Sequence, residues 1–215
     1  MPIFSYESKF SQVLLKFCSA CYLNLLWILC SLPIFTMGAA TTALYYGTLK
    51  IVRGEDSHLT KLFFRSFRQN FKQATVLWLI LLAVGALLAG DGYILYHLRM
   101  TTTGMPAILW TLMFALIIAA AIVYVIVLMY VFPLTASVSN TSWNMLKNSF
   151  FIGTHYLFCS ILIFAIHLAM FYVVVNLFTP LIIFAQGLCA LFSSYLLNNV
   201  IRAVSYDPAE EETAE

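Results

Sequence analysis

Long apolar runs, separated by short polar stretches, dominate the pattern of this chain. A helix rises 1.5 Å per residue, so about 20 apolar residues cross a hydrocarbon core of roughly 30 Å. Six runs approach or exceed this length: residues 13–32, 34–52, 74–98, 107–132, 155–176 and 181–200. They predict an all-α, polytopic helical membrane protein in which residues 1–206 form a single membrane domain.

Pro33 interrupts the first long apolar stretch. Proline lacks an amide donor and disfavours a helical conformation at the preceding residue, so a helix is expected to break or kink there. Small residues follow it, and small residues let helix backbones approach closely in lipid. We therefore predict a helix-packing corner, formed by Pro33, Thr36, Gly38, Ala39 and Ala40. The alternative is one long kinked helix over residues 17–49, which leaves five spans.

The distribution of lysine and arginine helps to choose between these counts, because cytoplasmic loops of membrane proteins carry an excess of both. With six spans, ten of the 11 Lys and Arg residues are cytoplasmic and only Arg99 is outside. With five spans, Lys9 and Lys16 move outside and the ratio becomes eight to three. Six spans are favoured, in a multi-pass protein of the cytoplasmic membrane with both termini inside.

A cationic amphipathic helix is predicted over residues 57–72. In a helical projection the cations cover one side and the apolar residues cover the other. The candidate surface consists of Lys61, Phe63, Phe64, Arg65, Phe67, Arg68, Phe71 and Lys72. Cations attract anionic lipid and Phe side chains enter the acyl boundary, which indicates a helix lying on the cytoplasmic membrane surface. Docking of a cytoplasmic partner on this helix is the alternative.

Composition agrees with a membrane protein. Charged residues make up 9% of the chain and apolar types 62%, which excludes an ordinary soluble domain. The first apolar run lacks a small-residue cleavage site, so we expect it to be retained. Residues 207–215 are acidic, and such a composition is typical of a disordered tail.

Three polar residues are candidates for a role within the membrane: Asp91, His167 and Gln186. An ionisable residue in a span is a functional candidate by default. Structural explanations are favoured for two of them. Asp91 lies near the outer end of its span with Arg99 as a plausible charge partner, and His167 needs only a hydrogen bond to a neighbouring helix. Binding or proton transfer is the alternative.

The motifs of common enzymes are absent from the sequence. It contains no G-x-x-x-x-G-K-[ST] loop, no H-E-x-x-H pair and no G-x-S-x-G elbow. The five cysteines lie inside apolar runs and are expected to be buried small hydrophobes. Cys18 and Cys21 have a C-x-x-C spacing, but no further zinc ligands are nearby. We expect no enzymatic activity, no cofactor, no metal and no nucleic-acid partner.

Several short segments resemble the YesL-like integral membrane family of Gram-positive bacteria. They are Asn24-Leu25-Leu26-Trp27, Leu32-Pro33 with Thr36 and Gly38-Ala39-Ala40, Ala43-Leu44-Tyr45, Arg53-Gly54-Glu55, and Phe64, Phe67, Asn70 and Phe71. The biochemical function of that family is undefined, and its members are often encoded beside carbohydrate uptake systems. The resemblance therefore implies an accessory role in sugar transport and no catalytic residues.

Two functions follow as hypotheses. The first is a non-enzymatic accessory or scaffold protein that works with anionic lipid and a carbohydrate transporter subunit. The second is a small-solute transporter or channel, whose pathway would use sparse polar residues: Asn24, Thr36, Thr41, Thr42, Asp91, His167 and Gln186. Convergence of these side chains on one cavity would favour transport. Their dispersal into separate helix contacts would favour the scaffold.

Overall fold

Helices account for nearly all of the chain that the computed structural model describes, which comprises residues 9–101, 106–177 and 179–205. The α-helices in these ranges are α1 (Lys9–Ser31), α2 (Met37–Arg53), α3 (Leu59–Thr101), α4 (Ala107–Ser137), α5 (Ser142–His155), α6 (Leu157–Asn176) and α7 (Ile182–Ser205). Two short 3-10 helices, Ile34–Thr36 and Thr179–Leu181, precede α2 and α7. No strand occurs in the described ranges, and the all-α prediction is confirmed. The predicted acidic tail lies outside the described residues.

The helix α2 forms the buried centre of the bundle. Twelve of its 17 residues are buried, and it packs against α1, α3, α4 and α7. Its buried threonines bond to their own helix: Thr41 donates to the Met37 carbonyl over 2.8 Å and Thr42 to the Gly38 carbonyl over 3.0 Å. Because these hydroxyls are satisfied locally, α2 can be surrounded by protein without stranding polar groups.

A tight corner at Pro33 turns the chain from α1 back along α2. The Thr36 amide donates to the Pro33 carbonyl over 2.9 Å, and the Thr36 hydroxyl donates to the Cys30 carbonyl over 2.6 Å. Further along, Trp27 Nε1 of α1 donates to Thr41 Oγ1 of α2 over 3.0 Å. The two helices are therefore separate and antiparallel, and the alternative of one kinked helix over residues 17–49 is wrong.

Five helical segments are long and apolar enough to cross a membrane: Phe10–Ser31, Leu59–Thr101, Ala107–Ser137, Leu157–Asn176 and Thr179–Ala203. The protein is accordingly membrane-embedded. At 17 residues, or about 25 Å, α2 is shorter than these segments. These five candidate spans equal the smaller number of spans predicted from the sequence. The reason differs, because α2 is a separate short helix and is not fused to α1.

The largest departure from the predicted elements is α3. Its 43 residues form one continuous helix, so the separate surface helix over residues 57–72 and the span over residues 74–98 are a single element. No Pro or Gly stands between the two parts to end a helix. A length of about 64 Å exceeds a hydrocarbon core of roughly 30 Å even at a tilt of about 40°. Part of α3 therefore extends beyond the core, and the charged first half is the part that costs least to place there.

The two halves of α3 have different neighbours, which meet at Trp78. The indole Nε1 of Trp78 donates to the Ile34 carbonyl at the Pro33 corner over 2.9 Å, and its ring lies 6.2 Å from that of Phe132 on α4. Towards its N-terminus, α3 packs along α2. Towards its C-terminus it packs along α4, where Arg99 lies 5.8 Å above the ring of Phe114. Both helices run antiparallel to α3.

The last helix, α7, closes the bundle against α1 and α2. The hydroxyls of Thr48 on α2 and Ser194 on α7 are 2.8 Å apart and buried. Gly187 allows close contact with α1, because a Cβ at this position would lie 2.6 Å from the Ala20 carbonyl oxygen. The helix α6 is separated from α5 by a break at Tyr156, where ψ is 51°.

We predict that Gly38→Ala lowers the stability of the protein by about 1–3 kcal/mol, since overpacking forces backbone shifts. A Cβ on Gly38 would lie 2.5 Å from both the Ala74 carbonyl oxygen and Trp78 Cβ. Gly90→Ala on α3 is the matched control, because a Cβ there meets nothing within 4 Å. Melting temperatures in one detergent should fall for the first variant and stay level or rise for the second. Equal melting temperatures would contradict close packing at the corner.

Candidate functional site

Four exposed cations form a line along the first half of α3. They are Lys61, Arg65, Arg68 and Lys72, spaced four, three and four residues apart. We call these four residues the basic face. Phe63 and Ser66, which are buried, lie on the opposite side of the same helical turns, towards the bundle. The basic face therefore points away from α2, over a length of about 17 Å.

The phenylalanines of this segment do not share one environment. Phe63 is fully buried, and Phe67 packs against the core with its ring centroid 6.4 Å from that of Phe63. Phe71 is half-buried, and Phe64 is 39% exposed. The expectation that all these rings enter lipid is corrected for Phe63 and Phe67, because α3 uses that side to pack inside the protein.

Two shallow open grooves flank the basic face. Their lining combines cations, aromatic rings and amides: Thr60, Lys61, Phe64, Arg65, Phe67, Arg68, Gln69, Phe71 and Lys72. Among the residues that the structure describes, the single ion pair joins Lys50 to Glu55. The four cations of the basic face are thus not neutralised by a carboxylate within those residues, and the surface suits an extended acidic ligand.

A polar cluster joins the end of α2, and the loop that follows it, to the end of α7. Gly54 ends α2 with φ at 74°, and the Glu55 amide donates back to the Lys50 carbonyl over 2.9 Å. Arg53 Nε donates to Asn198 Oδ1 on α7 over 2.8 Å. The hydrogen bond and charge of Lys50 lower the pKa of Glu55, and the charges of Arg53 and Arg202 lower it further. We call Lys50, Arg53, Glu55, Asn198 and Arg202 the end cluster.

Sequence reasoning did not find the contact between Arg53 and Asn198. In the sequence, Arg53 stands out only as part of the family resemblance, and Asn198 carries no signal of its own. The available signal was the charge of Arg53 at the end of a buried helix, which needs a hydrogen-bond acceptor. Nothing in the sequence names the acceptor, since the two residues are 145 positions apart.

The candidate polar residues within the membrane are not brought together. Asp91 lies exposed on α3 in a mainly apolar groove against α4. Its expected pairing with Arg99 is not formed in the described part of the chain, since Arg99 stacks over Phe114. The expected contact of His167 with a neighbouring helix is also corrected: its Nδ1 lies 2.9 Å from the Ile163 carbonyl oxygen of the same helix. Gln186 is half-buried on α7.

The remaining pathway candidates also take part in separate helix contacts. Thr36 bonds at the corner, Thr42 bonds within α2, and Thr41 accepts from Trp27. The Asn24 amide donates to the Ile183 carbonyl, between α1 and α7. These bonds join neighbouring backbones or side chains and do not converge on one cavity.

The cysteines show no sign of a metal centre within the described residues, where no three His, Cys, Asp or Glu side chains approach closely enough to hold an ion. Cys189 is buried, and Cys21, Cys30 and Cys159 are half-buried. Cys18 is exposed on α1, so the expectation that all five are buried holds fully for Cys189 alone. Its side chain lies on the apolar outer surface of that helix.

Comparison with known proteins gives one match. The profile of a family described as "Protein of unknown function, DUF624" matches residues 20–91, which extend from within α1 to within α3. No curated protein and no solved structure matches the chain. The matched range contains the Pro33 corner, the buried helix α2 and the whole basic face.

We predict that Lys50→Gln raises the pKa of Glu55 towards its ordinary value, because the main cause of the lowering is removed. In the native protein, the ionised Glu55 contributes stability above the ordinary glutamate pKa. That contribution is lost as the pH falls through the lowered value. Carboxyl chemical shifts of labelled glutamate, followed by NMR between about pH 2 and 7, measure the change. Lys61→Gln is the control, and an unchanged Glu55 titration in Lys50→Gln would contradict the assignment.

Proposed function

We propose that this chain is a non-enzymatic accessory or scaffold protein of the cytoplasmic membrane, which holds an acidic partner protein on the basic face. The observation that carries the proposal is the exposure of Lys61, Arg65, Arg68 and Lys72 on the outer side of α3. A row of cations without a carboxylate among the described residues is a surface whose charge can be matched by a ligand.

An acidic protein suits this surface better than the lipid surface alone. A helix that lies flat on a membrane needs an apolar side to enter the acyl boundary. On α3 that side includes Phe63 and Phe67, which pack inside the bundle. The segment is also continuous with the apolar half of α3, so it cannot rotate into the interface by itself. The cations remain available to bind an acidic protein, and Phe64 is the exposed aromatic residue beside them.

The resemblance to YesL-like proteins supplies the class of partner. Because members of that family are often encoded beside carbohydrate uptake systems, we expect the partner to be a carbohydrate transporter subunit with an acidic cytoplasmic surface. The excess of Lys and Arg on one side, which both the five-span and the six-span topology place in the cytoplasm, supports a cytoplasmic basic face. In this arrangement the protein provides position and contact, and the transporter performs the transport.

The dispersal of the polar residues gives less support to the alternative, a small-solute transporter or channel. A solute pathway needs several polar groups that face one continuous space. Asp91, His167 and Thr41 instead lie on three helices with different neighbours. Solute flux in liposomes containing the purified protein, reduced by Asp91→Asn or His167→Ala, would favour this alternative.

The test replaces Lys61, Arg65, Arg68 and Lys72 together by Gln. We predict that the affinity of this variant for the transporter subunit falls by about thirtyfold, as expected for the loss of four exposed ion pairs of about 0.5 kcal/mol each. Cells are grown on an inducing sugar, the tagged protein is purified in mild detergent, and the subunit is quantified by mass spectrometry.

Arg99→Gln and Lys147→Gln are matched controls, because each removes an exposed cation outside the basic face. Both should retain the subunit. Equal recovery with the fourfold variant, or no transporter subunit with the native chain, would overturn the proposal. Lipid would be identified as the ligand if the native chain retained anionic lipid and the fourfold variant lost it while recovering the same amount of transporter subunit.

A further inference from the structure

We infer that residues 206–215 of this chain bind the basic face and compete there with the external partner. This inference rests on the proposed function for the competition, but the intramolecular contact can be tested without any partner. The occupant is a segment of the chain outside the structure, and its charge, its starting point and its length all match the surface.

Charge is the first argument. Residues 206–215 have no Lys or Arg and contain five carboxylates: Asp207, Glu210, Glu211, Glu212 and Glu215. The basic face offers four exposed cations in a row, with no carboxylate paired to them among the described residues. Opposite charges held on one chain meet at a high effective concentration, so a weak electrostatic contact is sufficient to populate the bound state.

The second argument is where the segment begins. The helix α7 ends at Ser205, and its final turns adjoin the end of α2 through the bond between Arg53 and Asn198. The charge of Arg202 acts on Glu55, which stands four positions before the start of α3. Residues 206–215 therefore start at the end of the bundle where the basic face starts.

Length is the third argument. Ten residues reach at most about 33 Å when extended, whereas the basic face measures about 17 Å from Lys61 to Lys72. The segment can pass around the end of the bundle and place its later carboxylates, Glu210 to Glu215, along the first turns of α3. Lys61 and Arg65 are the cations nearest to the start of α3 and are expected to carry most of the contact.

The end cluster is closer to α7, but two of its three cations are already engaged, and the third, Arg202, offers a single charge against four on the basic face. Lys50 is paired with Glu55, and Arg53 donates to Asn198. A carboxylate from the tail would have to displace these partners there, whereas Lys61 and Arg65 are exposed and have no such carboxylate in the described ranges. The basic face is thus the favoured location for the acidic segment.

Binding of the tail to the basic face would restrict which partners can bind there. A ligand must displace the tail before it reaches the cations, so only a surface with more negative charge or additional contacts binds well. Phe64, which is 39% exposed beside the basic face, is positioned to provide such an additional contact to a partner.

Carbodiimide cross-linking tests the intramolecular contact, because it joins a lysine amine directly to a carboxylate that touches it. The full chain is placed in nanodiscs of phosphatidylcholine, treated, digested and analysed by mass spectrometry. We expect the carboxylates of residues 207–215 to link to Lys61 more than to Lys147. The double variant Arg65→Gln, Arg68→Gln keeps both reactive lysines of the basic face and should lower this yield about fivefold.

Arg99→Gln is the control and should leave the yield unchanged. Links mainly to Lys50 or Lys147, or an unchanged yield in the double variant, would overturn the inference. The proposed function has a separate readout, namely recovery of the transporter subunit by the chain truncated after Ser205. Increased recovery supports competition. If truncation leaves recovery of the transporter subunit unchanged although the cross-link forms, the tail contacts the basic face without competing with the partner. If neither the full nor the truncated chain recovers the subunit, the proposed function is wrong, while the intramolecular contact is still supported by the cross-link.

Discussion

The contact of Gly38 with Ala74 and Trp78 is the constraint on which the other arrangements depend. At this point the start of α2 meets the middle of α3 so closely that a Cβ would collide with the α3 backbone. Lipid offers little hydrophobic drive for helices to associate, and close backbone approach is one of the main sources of packing energy there. The contact sets the rotation of α3 about its axis, so Phe63 faces the bundle and the basic face is directed outward.

A continuous α3 joins two regions with different surroundings. Its second half is apolar and packs on α4, while its first half is cationic on the outside and packs on α2. Since a helix is a stiff element over this length, the proposed ligand on the basic face would be held at a defined position relative to the membrane. Such an element suits a scaffold, whose task is to place another protein, and it requires no moving part.

The buried polar groups serve packing in this structure. Thr41, Thr42 and Thr48 bond to nearby carbonyls or hydroxyls, and the central helix can therefore carry small polar residues while fully enclosed. Charged groups gather at the end cluster, where Arg53 and Asn198 tie the first and last parts of the chain together. Bonds of this kind contribute modestly each, but they set which helices are neighbours.

Much of the fold could be predicted from the sequence, because lipid solubility and helix length impose strong local rules. Apolar runs of about 20 residues identified the long helices, and Pro33 marked the turn between α1 and α2, since both signals are properties of short segments. The cations of the basic face were also readable, because spacing of three and four residues places them on one side of any helix. Only the tertiary structure decided that residues 57–72 continue into the next span, that Phe63 is buried and that Phe67 packs against the core. Those outcomes depend on α2 lying against α3, and the partner of an apolar face is set by distant parts of the chain that no local pattern contains. The same reason explains why Asn198 could not be assigned to Arg53, and why Asp91 and His167 were given partners that the fold does not bring to them.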